Sequence, residues 1–197
     1  MIKTERQLMR RIRTGLLGIA AFTLAATGLA TGAASAAPAA GLASETVKCD
    51  PAGGSATFFS PNKWSKVNVQ WCVKTFHNSD GTYAVQPFVT GDAYYYWGAA
   101  WYHDKAQVNG DSAFMGGTIA TAVNGKTLAS GSYNSGRTQD GTLLVTGART
   151  QVPSGTFKVT FTDMAKHEGY WSTHSGGDVR PSTQVEFSDH TVEGTIP

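Results

Sequence analysis

The chain has 197 residues and a formal net charge of +2, with charged residues at 15%, aromatics at 11% and 23 glycines. Low charge with abundant glycine and aromatics excludes a disordered or coiled-coil chain and suits one compact β-rich domain. The positive excess sits in Lys3, Arg6, Arg10, Arg11 and Arg13; the remainder is slightly acidic and has no clustered basic face, so nucleic acid is not an expected partner.

Residues 1–36 read as a secretory signal peptide. Arg10, Arg11 and Arg13 form a basic n-region, the run 15–26 of Gly, Leu, Ile, Ala, Phe and Thr an apolar h-region, and Ala34-Ser35-Ala36 a small-residue cleavage site. The h-region is too short and too rich in Ala, Gly and Thr for a stable span, and no later stretch is apolar for long enough. The mature chain is therefore expected to be secreted and extracellular, with no membrane contact after cleavage. Residues 37–44 read as a flexible leader and residues 45–197 as a single all-β domain. Cys49 and Cys72 form an even pair in a compartment where disulfides persist, so one bond between them is expected.

Period-two alternation dominates from there on. In 66–74, Val67, Val69, Trp71 and Val73 face one way, and Lys66, Asn68, Gln70 and Cys72 the other. This places the disulfide on the outer face or edge of a sheet. The spacing between the cysteines is too short for the bond between sheets of an antibody domain. Residues 156–162 alternate through Phe157, Val159 and Phe161. Leu143 and Val145, Val185 and Phe187, then Val192 and Ile196 continue the pattern. Asp80-Gly81, Asn109-Gly110, Asn124-Gly125 and Asp140-Gly141 supply tight-turn chemistry, with Asn124-Gly125 the strongest hairpin signal. The pattern gives nine to eleven short strands in an antiparallel β-sandwich or twisted meander barrel.

The segment 92–106 carries helix and strand signals together, and its tyrosines and tryptophans favour strand. As one strand it places Tyr95, Trp97 and Trp101 on one face and Tyr94, Tyr96 and Tyr102 on the other, with Gly98 and Ala100 leaving a shallow floor between rings. Indole is costlier to expose than phenol, so the tyrosine face is expected outward. Tyr94, Tyr96 and Tyr102 are thus the candidate ligand-binding residues, and stacking against sugar rings is the chemistry they suit.

Catalytic and metal signatures are missing from the sequence. His167-Glu168 begins no H-E-x-x-H motif, because Trp171 stands where the second histidine belongs. Asp163, His174 and Asp178 add no calcium spacing, and Gly110-Asp111-Ser112 lacks the context of a nucleophilic serine. No cofactor or metal is expected. The leading expectation is a non-enzymatic binding module for a glycan or other small ligand. Two alternatives follow: a barrel holding an apolar ligand against Trp71, Trp97 and Trp101, or a hydrolase using His167, Glu168 and His174 on loops.

Overall fold

The computed structural model describes residues 42–104, 109–110, 113–168, 171–172, 179–180 and 183–197. In chain order the strands begin with β1 (Leu42–Asp50), β2 (Ala56–Phe59), β3 (Ser65–Asn78), β4 (Tyr83–Trp97) and β5 (Ala100–His103). There follow β6 (Asn109–Gly110), β7 (Phe114–Val123), β8 (Lys126–Arg137), β9 (Thr142–Thr146) and β10 (Thr150–Val152). The last are β11 (Gly155–Glu168), β12 (Trp171–Ser172), β13 (Val179–Arg180), β14 (Thr183–Glu186) and β15 (His190–Ile196).

Twelve of these strands build two antiparallel sheets packed as a sandwich that does not close into a barrel. The first sheet is centred on the long pair β3 and β4. β1 and β2 share one side of β3, while β5, β9 and β10 line the far side of β4. The second runs β14-β11-β7-β8, with β15 also on β11. The two-residue strands β6, β12 and β13 pair among themselves. The chain leaves the second sheet for the first after β8 and returns after β10, so the connections are more than a hairpin meander.

Alternation explains the packing. Val67, Val69, Trp71 and Val73 of β3 are buried, as are Val85, Val89 and Ala93 of β4. Across the interface they meet Met115, Ile119 and Val123 of β7 and Phe157, Val159 and Phe161 of β11. Each such side chain contributes roughly 1.5–3 kcal/mol by leaving water. The hairpin at Asn124-Gly125 forms as expected, with φ of 49° and 78°. Its Asn124 side chain also accepts a hydrogen bond from the Thr156 amide at 3.1 Å. Asn109-Gly110, expected as a tight turn, instead pairs with β12.

Cys49 and Cys72 are direct partners in the β1–β3 register and are disulfide-bonded. The bond thus staples an edge strand to its neighbour within one sheet. β1 begins at Leu42, so the last three residues of the segment expected as leader are strand.

Two irregularities redirect side chains, one at the end of β4 and one in β11. The aromatic segment is not one strand. β4 ends at Trp97, Gly98 takes φ +65°, and β5 runs back along it. In β11 a bulge lies between Thr162 and Ala165, with Asp163 at φ +52°. An aspartate tolerates this left-handed conformation better than most residues. Before the bulge the odd residues Phe157, Val159 and Phe161 point inward; after it the even residues Met164, Lys166 and Glu168 do, with Ala165 between them also buried.

Candidate functional site

The reversal at Gly98 redistributes the aromatic residues. Directly opposed residues share a face in an antiparallel pair, and β5 opposes Tyr94 with His103, Tyr95 with Tyr102 and Tyr96 with Trp101. The rings follow the register. Tyr94 and His103 lie 4.5 Å apart, Tyr96 and Trp101 5.3 Å, and Tyr95 and Tyr102 stack at 5.6 Å. Tyr94 and Tyr96 therefore keep the common outer face expected of them. Tyr102, placed with them by sequence, sits on the opposite face with Tyr95, and Trp101 takes its place.

Trp101 also reaches Phe59 at 5.9 Å. Lys66, opposite both Phe59 and Tyr94 in register, holds its ammonium over the Tyr94 ring at 4.9 Å and the Trp101 ring at 4.7 Å. The platform thus comprises Phe59, Tyr94, Tyr96 and Trp101 around one lysine. Phe59 is 44% exposed and Tyr96 36%. The same outer face continues along β3 and β4 into polar rows: Asn68 opposes Asp92 and Gln70 opposes Thr90. With Thr142 and the Gly53–Ser55 turn these rows line an open groove of ≈ 440 Å³. A second groove of ≈ 520 Å³, lined by Asn62, Lys63, Gln184 and Glu186 among others, starts at Phe59 of the platform.

Directly behind the platform, on the inner face, lies a second constellation. Lys166 is fully buried, and its Nζ donates to Ser65 Oγ at 2.5 Å, Asp104 Oδ2 at 2.6 Å and Glu168 Oε2 at 2.7 Å. Ser65 and Asp104 are also fully buried. Ser65 is fixed by the preceding turn, where its amide donates to Ser60 Oγ at 3.0 Å. Asp104 is drawn inward at the end of β5 by its amide hydrogen bond to Ala93 O at 2.8 Å. A serine hydroxyl against a lysine amine can serve as nucleophile and base. Here two carboxylates hold the ammonium and no substrate can reach the serine.

Among the described residues no histidine joins this cluster. His167 points away from it and stacks on Phe114 at 4.8 Å, and burial holds its imidazole below the ordinary value. His174 and Asp178 lie outside the described residues, and Asp163 serves the bulge. Of the hydrolase candidates only Glu168 enters the buried cluster. The expected closed barrel around Trp71, Trp97 and Trp101 is corrected: the sheets do not close, Trp71 is buried in the inter-sheet core, and Trp101 is on the outside. Among the described residues no group of three or more His, Cys, Asp or Glu is arranged to hold a metal ion.

Sequence reasoning missed Phe59, Lys66 and Trp101 on the platform and Ser65, Asp104 and Lys166 behind it. Phe59 and Lys66 join through cross-strand pairing, which leaves no local signal. Comparison of the chain with protein-family models, curated proteins and solved structures finds no match.

Proposed function

We propose that the protein is a secreted, non-enzymatic module that binds an oligosaccharide along the outer face of its first sheet. The observation that carries this reading is the continuity of that face: exposed aromatic rings at one end pass in register into amide, carboxylate and hydroxyl rows. Pyranose rings present apolar C–H faces that stack on aromatic rings, and equatorial hydroxyls that bond Asn, Asp, Gln and Thr side chains. The row from Tyr96 to Thr90 extends about 20 Å at the usual rise per strand residue, room for several sugar units. The preformed platform loses little side-chain entropy on binding, since Lys66, Tyr94 and Trp101 already hold one another.

Titrating the protein with cello-, xylo- and chito-oligosaccharides of increasing length, followed by calorimetry and tryptophan fluorescence, tests the reading. Affinity should rise with length, and Trp101→Ala and Asp92→Ala should each weaken it in a protein that still melts cooperatively. Unchanged heats and fluorescence across the whole panel would overturn it.

A further inference from the structure

We propose that Lys166 and Asp104 become joined by an intramolecular amide bond, with Glu168 carrying the proton between them. One ammonium group faces two carboxylates in a pocket with no exposed side chain: Lys166 and Asp104 are fully buried and Glu168 is 2% exposed. In the strand registers Lys166 lies between Met115 of β7 and Val185 of β14, both fully buried. Asp104 Oδ1 is buried with no hydrogen-bond partner among the described residues. Buried carboxylate oxygens are seldom left in that state, because losing water without gaining a donor is costly. Forming the amide turns one charged carboxylate into a neutral carbonyl and removes the ammonium with it, which relieves the desolvation of both charges.

The chemistry balances within the cluster. Proton transfer from the Lys166 ammonium to the Asp104 carboxylate leaves a neutral amine beside a carboxylic acid, and Glu168 remains ionised. Lys166 Nζ attacks Asp104 Cγ, forming the N–C bond, while Glu168 accepts the proton that the nitrogen releases. Glu168 then delivers that proton to the departing hydroxyl, the C–O bond breaks, and one water leaves. The product is a secondary amide with Glu168 regenerated; no oxidant, reductant or activated donor is consumed. Nζ already touches Asp104 Oδ2 at 2.6 Å. A small rotation of the carboxyl brings its carbon to the ~3–3.5 Å separation at which bound reacting atoms are poised. Glu168, two residues along the same inward face, stands 2.7 Å from the same nitrogen. The bulge at Asp163 puts the pair there, since without it His167 would point inward in place of Lys166 and Glu168. The bond links the residue that follows β5 of the first sheet to β11 of the second, across 62 positions of sequence.

Intact-mass and peptide-mapping measurements on the folded, secreted protein decide the matter. The expected mass is one water below that calculated for the same N-terminus with its disulfide. Trypsin should leave Lys166 uncut and release a branched peptide joining it to the segment that holds Asp104. A full, unlinked mass in folded protein with normal cleavage after Lys166 would overturn the proposal. Glu168→Gln should show the full mass, and retention of the bond in that variant would overturn the role given to Glu168. Because that change alters a buried cluster and can unfold the chain, Asp104→Asn gives a second reading. There the same attack expels ammonia instead of water, and the variant should converge on the mass of the linked native protein. A mass that keeps the intact asparagine in a folded Asp104→Asn protein would count against the assignment.

Discussion

Tyr94 and His103 stand opposite each other across the β4–β5 hairpin, ring centres 4.5 Å apart, although they are nine positions apart in the chain. Gly98 makes that possible with its φ of +65°. A side chain in this region costs about 1–2 kcal/mol, so Gly98→Val should destabilise by that much in urea unfolding. It should also loosen Trp101 from the platform. The expected readout is a red-shifted, more quenchable tryptophan emission and weaker oligosaccharide binding, while the disulfide stays intact.

Gly117 lies beneath the β11 bulge with no room to spare. A Cβ there would meet Met164 Sδ at 2.5 Å and, less forgivingly, Met164 Cα at 2.7 Å and the Asp163 carbonyl at 2.9 Å. Backbone must move, and overpacking of this kind costs roughly 1–3 kcal/mol. Gly117→Ala should lower the melting temperature accordingly. It should also slow or prevent linkage of Lys166, read as recovery of unlinked mass.

The disulfide closes a loop with a sequence separation of 23. By the chain-entropy argument this is worth about 3 kcal/mol. Cys49→Ser with Cys72→Ser should lose about that much in denaturant unfolding, with the sandwich retained. Hydrogen exchange should rise first in β1, the edge strand the bond holds.

Burial holds the His167 imidazole below its ordinary value of 6.5. The unfolded chain takes up this proton more readily than the native one. The contribution of His167 to stability is therefore complete above 6.5 and is lost as pH falls below that value. Thermal melts between neutral pH and about pH 5 should show a smaller decline for His167→Phe than for the native protein. The phenyl ring keeps the stack on Phe114 and cannot be protonated.

The core of the first sheet is plain in the spelling of 66–74, because nothing interrupts the alternation of Val67, Val69, Trp71 and Val73. The hairpin at Asn124-Gly125 is equally plain, since few dipeptides suit two positive φ angles. The reversal at Gly98 is not: its neighbours Trp97 and Ala99 carry no turn signal, and aromatics on both sides favour continued strand. The change of phase in β11 is hidden for a related reason. Asp163 looks like any exposed loop residue, and nothing in the spelling around it marks Lys166 as inward-facing. What turns it inward is a carboxylate 62 positions away and a neighbouring strand that accommodates the bulge, and neither leaves a trace in the local pattern.

β8 ends the second sheet, and its outward positions Ser130, Ser132 and Asn134 are short and polar. Among the described strands β8 is paired only with β7, and a rim of this composition offers a passing copy little greasy surface to cement a contact. On a fold this rich in strand, that polar border disfavours the apolar edge-to-edge stacking from which fibrils grow.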